Sequence, residues 1–376
     1  TLDEIFFDAD EDEDVQRVSS GGQYIYQADV VTSILGGQYL SINTDRREDA
    51  LIYGDEPAAI FDDLDFSYQT VARSDLRSYD TYSYNVFRPV SWFTLDTGLN
   101  YSRVEYEDAE VAPFVEGSRS RNRVNPKIGL TIYPFPNLSL RAAYFESLRK
   151  SVLEDQVALE PVIVGGFTQR FNDVSGSVSR TTAVGADYKI PGESYFGVEA
   201  MERHVINPFM AITPEFNFDF SEFDVAFDSS KEEFDNHIDQ DFLKAWWYQI
   251  LSEDFVITSD YYYYQNKYTD PDVAQDITSH RTSLSLRYFM PGGLFAYQRS
   301  TWRQQDRVGS FFFDDGTEDF WVHDIGLGYR LPDRQGSIRL EIQNILDNDF
   351  SYDQFLGFEE GVANEVSGRL FIQFSF

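Results

Sequence analysis

The residues best placed to do chemistry are charged ones that recur along one side of segments whose other side is apolar. Asp96 shares its side with Thr94, Gly98, Asn100 and Ser102, while Phe93, Leu95, Leu99 and Tyr101 take the intervening positions. The same separation sets Lys127 against Ile128, Leu130 and Ile132, Arg141 against Leu138, Leu140 and Tyr144, and Arg339 and Glu341 against Ile338, Leu340 and Ile342. It also assigns Asp187, Lys189, Arg287, Asp324, Arg330 and Arg369 to the polar sides of their segments. Charges of both signs on one hydrated surface create a transverse field that discriminates among ions and solutes. The same charges equally suit mutual pairing within a wall. Bond-breaking chemistry lacks comparable support. His204, His237, His280 and His323 are scattered, and there is no Gly-x-Ser-x-Gly, His-Glu-x-x-His or phosphate loop, so the chain reads as a non-enzyme.

Two further stretches could bind. In residues 207–236, Phe216, Phe218, Phe220 and Phe223 interleave with Asp219, Glu222 and Asp224. Aromatics alternating with acids suit stacking on sugars or gripping a cationic polymer, and equally suit a hairpin extension or contact with a partner chain. Residues 151–177 carry Leu159-Glu-Pro161, Gly165-Gly166 and Gln169-Arg-Phe-Asn-Asp173. That mixture fits a segment folded into a lumen as a constriction or lid, or an ordinary packed outer loop. No cofactor is implied beyond calcium bridging acidic loop groups, Asp270 with Asp272 or Asp314 and Asp315 with Asp319, none with EF-hand spacing.

The elements that must position these residues are strands, because side chains alternate faces along an extended chain. Turn chemistry punctuates them at Leu35-Gly-Gly37, Pro89-Val-Ser91, Pro134-Phe-Pro-Asn137, Pro191-Gly-Glu193, Ser252-Glu-Asp254, Pro291-Gly-Gly293 and Pro332-Asp-Arg-Gln335. Long polar loops alternate with these short turns. Strands of the length that crosses a bilayer at a tilt, joined in this rhythm, predict an all-β fold: a transmembrane antiparallel β-barrel with short periplasmic turns and long extracellular loops. The 33 Phe and 24 Tyr suit aromatic girdles at two membrane interfaces. About seven turn-joined pairs plus the terminal strand at 368–376 make roughly fifteen strands, and periplasmic termini ask for one more rising strand. Residues 2–9, within an acidic N-terminal segment 1–20, are the candidate, giving about sixteen strands in a single domain over 1–376. The run from Asp8 to Asp14 reads as solvated loop or tail, with a calcium site as the alternative. Segments 237–250 and 294–304 alternate too poorly to assign a face.

Charge narrows the partners. A net charge of −34 argues against nucleic acid and against a basic patch on anionic lipid, and is more compatible with cationic partners or divalent ions. The absence of cysteine fits an oxidising envelope. The expected location is the cell outer membrane of a Gram-negative bacterium, with outer-membrane lipid, lipopolysaccharide and periplasmic or envelope proteins as partners. With no leader at Thr1, this location expects that a leader or a larger upstream segment was removed.

The stretch from Asn125-Pro-Lys-Ile-Gly-Leu through Tyr133-Pro-Phe-Pro-Asn-Leu to Ala143-Tyr144 resembles the barrel hairpins of TonB-dependent receptors. Ile338-Arg-Leu-Glu-Ile-Gln-Asn-Ile-Leu-Asp347 is similar to their penultimate-strand pattern, in which an Asn-hydrophobic-hydrophobic-Asp cluster opens the last loop. The resemblance implies barrel style rather than function, and such receptors have about twenty-two strands and an N-terminal plug with a TonB box, whereas no plug is read here. A barrel of about sixteen strands is similar in topology to general porins and to the barrels that follow periplasmic tetratricopeptide-repeat domains in exopolysaccharide secretion. The expected function is therefore an outer-membrane pore for export or diffusion of a polymer or small solute, as the barrel of a larger secretion protein. The alternatives are a TonB-dependent-receptor-like uptake barrel without its plug, or a structural or interaction barrel in an envelope assembly.

Overall fold

The computed structural model describes residues 5–54, 66–111, 117–150, 159–169, 171, 173–190, 193–219, 224–269, 275–309, 315–332, 335–350, 352 and 365–374. In chain order the strands are β1 (Ile5–Gln27), β2 (Val31–Gly54), β3 (Phe66–Val90), β4 (Phe93–Val111), β5 (Gly117–Phe135) and β6 (Leu138–Leu148). A two-residue pair follows, β7 (Ile163–Val164) and β8 (Phe167–Thr168). Then come β9 (Val178–Ile190), β10 (Ser194–Asp219), β11 (Asp224–Ile250), β12 (Phe255–Tyr268), β13 (Asp276–Phe289) and β14 (Leu294–Val308). The last three are β15 (Gly316–Arg330), β16 (Gly336–Gln343) and β17 (Ser367–Phe374). All but β7 and β8 form one 15-stranded antiparallel sheet in sequence order. This is the meander that turn-joined neighbours dictate.

The expected sixteenth strand is not separate. Ile5–Ala9 form the start of β1, and their register partners are Ala50–Gly54 of β2, not β17. Each end strand has a single neighbour in the described sheet, so Ile5–Ala9 do not pair beside β17. The acidic run from Asp8 to Asp14 is likewise strand rather than loop, and the register sets Asp12 opposite Arg47 and Glu13 opposite Arg46. The Gly36-Gly37 dipeptide is not a turn. It lies inside β2, and the first hairpin instead turns at Ala28–Val30, where the Ala28 amide donates to the Val31 carbonyl at 2.8 Å. Gly36 is needed because the Tyr82 ring occupies its side-chain space, with a Cβ there meeting the ring at 2.4 Å.

The two faces of the sheet differ as alternation requires. One face carries exposed Leu99, Ile128, Leu140, Val184, Leu284, Leu327, Leu340 and Leu370. Exposed aromatics ring this face near the short turns, at Trp92, Phe135, Tyr188 and Phe196. A second set lies farther along the strands, at Tyr79, Tyr101, Tyr144 and Trp321. Two aromatic belts bounding an apolar band are what a bilayer's two interfaces select. The opposite, inner face buries polar groups: Asn100, Ser102, Asn125, Ser179, Thr181, Arg203, Gln240, Asn266, Ser279 and Gln305.

Segment 294–304 hid its faces because the inner face of β14 is partly aromatic. Tyr297 and Phe295 lie over Gly326 and Gly328 of β15, where a Cβ would come within 2.1 and 2.2 Å of the rings. Strand lengths are unequal. β10 and β11 have 26 and 27 residues, against 14 each in β12 and β13. Crossing needs about 9–11 residues, so the β10–β11 hairpin projects well past the apolar band.

Candidate functional site in the lumen wall

The described residues of 159–177 fold back onto the inner face. Gly165 and Gly166, with φ of 56° and 84°, form the two-residue turn of the β7–β8 hairpin, a conformation glycine adopts without steric cost. The turn seats against the wall: the Gly165 amide donates to Asp96 Oδ2 at 2.9 Å, and a Cβ on Gly129, the cross-strand partner of Asp96, would sit 2.3 Å from the Gly165 nitrogen. Val164 and Phe167 enter an apolar cluster with Tyr82, Tyr84, Ala143, Phe145 and Ala183. The segment is also held at its base, where the Arg149 amide donates to Ser177 O at 2.8 Å and the Gly176 amide to Arg149 O at 2.7 Å.

Charge completes the docking. Glu160 lies 3.2 Å from Lys127 Nζ and 3.7 Å from Lys150 Nζ, and accepts a hydrogen bond from Tyr84 Oη at 2.5 Å. Lys150 also pairs with buried Asp80 at 2.8 Å. Burial alone would raise the Glu160 carboxyl, but Lys127 and Lys150 outweigh it and hold this loop group below the usual carboxylate range. Gln169 bonds Lys127 and Tyr84. Farther along, Asp173 pairs at 2.6 Å with Arg203, which is fully buried, stacks 3.6 Å from the Phe171 ring centroid and bonds Gln240. Arg141 reaches Asp187 at 3.0 Å, Glu199 at 3.6 Å and the Gly166 carbonyl at 2.9 Å.

A second segment also turns inward. Asn344 and Asp347 adopt positive φ, 50° and 54°. Asn344 Nδ2 donates to Asn348 O at 3.0 Å, while Asn344 Oδ1 accepts from the Asn348 amide at 3.1 Å. Asn348 Nδ2 and the Ile345 amide then satisfy the Trp321 and His323 carbonyls of β15, at 2.8 and 2.9 Å. The chain beyond stacks Phe350 on Phe320 at 3.9 Å and buries Tyr352. The Asn-hydrophobic-hydrophobic-Asp cluster is thus a cap for the part of β15 that outruns β16.

All eleven charged positions expected to line a lumen fall on the inner face, in two groups. Asp96, Lys127, Arg141 and Asp187 gather beneath residues 159–177, with Lys189 nearer the short turns, over the Tyr195 ring at 5.2 Å. Arg287, Asp324, Arg339, Glu341 and Arg369 line a separate cavity on β12–β17, and Arg330 stacks on Phe289 at 4.5 Å beside it. Of the aromatic and acidic stretch, Phe216, Phe218, Asp219 and Asp224 lie in the paired ends of β10 and β11, where Phe216 faces Phe227 in register, so the hairpin-extension reading describes their backbone. Phe220, Glu222 and Phe223 lie outside the described residues, as do Asp270, Asp272 and Asp314. Asp315 accepts from the Gly309 amide at 2.6 Å. Among the described residues no three His, Asp or Glu side chains group to hold a metal ion.

Sequence reasoning missed Arg203, Lys150 and Asp80. On the strand holding Arg203, the inner face also presents Met201 and Val205, because the inward loop covers it, and alternation there carries no polar signal.

An antiparallel sheet with an apolar, doubly girdled outer face and a polar inner face occupied by its own loops is the wall of an outer-membrane β-barrel. No protein-family profile and no curated protein matches the sequence. Solved structures share the fold. The copper transporter OprC superposes with TM-score 0.60 at 14% identity over 97% of this chain and 57% of its own. The siderophore receptor PiuA from Acinetobacter baumannii gives 0.61 at 12% over 97% and 56%. The ferric citrate transporter FecA gives 0.60 at 13% over 94% and 53%. These neighbours are TonB-dependent outer-membrane receptors and transporters, and the chain spans about half the length of each. The barrel style inferred from the hairpins is therefore the fold observed.

Proposed function

We propose that the chain is the wall of a gated transport barrel in the Gram-negative outer membrane, with residues 159–177 as the gate. The observation carrying this reading is the loop pinned into the polar inner face through Glu160, Lys127 and Lys150. A segment that only decorated the outside would not bury charge against the wall. Of the two directions, uptake has the better support. The fold is shared with receptors for siderophores, ferric citrate and copper, and a metal chelate is the cargo class that follows from that likeness. The export reading, with its tetratricopeptide link, rests on topology alone. The eleven inner-face charges would tune passage. Phe216, Phe218, Phe220 and Phe223 with Asp219, Glu222 and Asp224 would offer a first contact for cargo outside the band.

The test is conductance of the full-length protein in planar bilayers, comparing wild type with a Glu160→Gln, Phe167→Ala double variant. The expected result is a low or silent wild type and frequent large openings in the variant. Equal conductance in both rejects the gate.

A further inference from the structure

On β12–β17 the inner face carries a cavity of about 790 Å³ that the inward loop at 159–177 does not line. Its walls hold six arginines, at 281, 287, 299, 303, 339 and 369, against three carboxylates, Asp260, Asp324 and Glu341. Arginines outnumber carboxylates in this lining, although the chain's net charge is −34.

The carboxylates are already engaged. Asp260 pairs with Arg281 at 3.3 Å, and Asp324 with Arg299 at 2.8 Å. Glu341 accepts from Gln343 at 2.8 Å and from Tyr297, leaving Arg299 and Arg339 each at 3.9 Å. Arg287 and Arg369 make no ion pair among the described residues.

The arginines are also oriented. Arg339 lies 4.2 Å from the Phe371 ring centroid and Arg287 5.4 Å from that of Tyr297. An aromatic ring holds a guanidinium by its face and leaves the in-plane N–H donors at its edge for a partner. Arg339 Nε, buried, has no hydrogen-bond acceptor. A neighbouring cavity of about 450 Å³ shares Arg287, Arg339 and Phe371, extending the charged surface towards the short turns.

We propose that this cavity binds a small solute bearing two or more oxyanion groups, carboxylates or phosphates, held by Arg287, Arg339 and Arg369. The volume suits a small molecule, the fork of each guanidinium matches an oxyacid, and Arg287 and Arg369, which make no ion pair among the described residues, favour an anion. Because the cavity opens on the inner face, behind the lipid-facing residues, a lipid headgroup is not the occupant. The proposal holds whichever direction the barrel transports.

The test is calorimetric titration of the full-length protein in detergent with tripolyphosphate and, separately, citrate, at low and high salt. The wild type is expected to bind one of them saturably, more weakly at high salt. An Arg287→Gln, Arg369→Gln double variant should lose about tenfold or more in affinity. Arg103→Gln, which removes an arginine paired with Glu105 away from the cavity, should bind as wild type. Retention of the fold is checked by heat-modifiable migration. Absence of saturable binding to the wild type overturns the proposal, and an acidic protein segment seated on the arginines would produce that result. Equal affinity in the double variant and Arg103→Gln overturns it as well.

Discussion

Glu160 shows how one side chain sets the state of a larger element. It is largely buried, yet ionised, because two lysines and the Tyr84 hydroxyl surround it. Removing one member of such a buried group strands the others at a cost of about 3 kcal/mol or more. Glu160→Gln should therefore undock the loop, raising hydrogen exchange at the Gly165 and Gln169 amides by about a hundredfold. The depressed carboxyl also predicts a pH dependence of known sign. A group whose folded pKa lies below its unfolded value, about 4.3 for glutamate, stabilises fully above that value and ceases to as pH falls through the folded one. Protection of the same amides should thus be full at neutral pH and be lost only below the usual carboxylate range, and Glu160→Gln should flatten that profile. Asn344 makes a different kind of contribution. Its positive φ and paired hydrogen bonds to Asn348 hold the chain leaving β16, so Asn344→Ala should destabilise by about 2 kcal/mol in urea unfolding of the folded barrel.

The β7–β8 hairpin separates what alternation can say from what it cannot. Strands were legible because turn chemistry and period-2 patterning are local: β6 and β12 begin directly after the expected turns at 134–137 and 252–254. Inner-face assignments held at Lys127, Arg141 and Glu341 for the same reason. The Gly36-Gly37 turn failed because a glycine pair that makes room for Tyr82 looks, in sequence, like one that reverses the chain. What stayed hidden is non-local. That Gly129 is small for Gly165, or that Arg203 awaits Asp173, depends on a segment arriving from elsewhere in the chain. The close approach at Gly129 gives a test free of charge effects. Gly129→Val leaves every ion pair intact but places side-chain atoms where the Gly165 backbone lies, so the loop should undock while the strand persists. Faster exchange at Gly165 with unchanged protection across β5 and β6 is the expected pattern, and slow exchange at Gly165 would show that the loop is seated by its charges alone.

At the scale of the whole molecule the sheet poses a problem of closure. Strands in a meander alternate direction, so the first and fifteenth point the same way. Pairing β1 directly with β17 would insert a parallel pair into an antiparallel wall, with 23 residues facing 8. Unpaired backbone edges are not tolerated in hydrocarbon, each orphaned group costing several kcal/mol. An all-antiparallel barrel containing this sheet therefore requires an odd number of further strands between β17 and β1. That requirement agrees with a chain covering 53% to 57% of the barrels it resembles. Counting turns by parity suggested an extra strand at residues 2–9, whereas Ile5–Ala9 are the start of β1. The chain has no native cysteine, which makes the arrangement open to a clean test. Tyr24 of β1 and Ile372 of β17 are both exposed near the short-turn end. If β1 and β17 were neighbours, Tyr24→Cys with Ile372→Cys should cross-link on oxidation of the full-length protein in outer membranes, because adjacent strands lie within about 5 Å and a disulfide tolerates little more than about 7 Å between Cα atoms. The sheet predicts no such bond, whereas a Ser33→Cys, Asn85→Cys pair across the β2–β3 register should form one readily. A disulfide between β1 and β17 would show that the wall closes on itself.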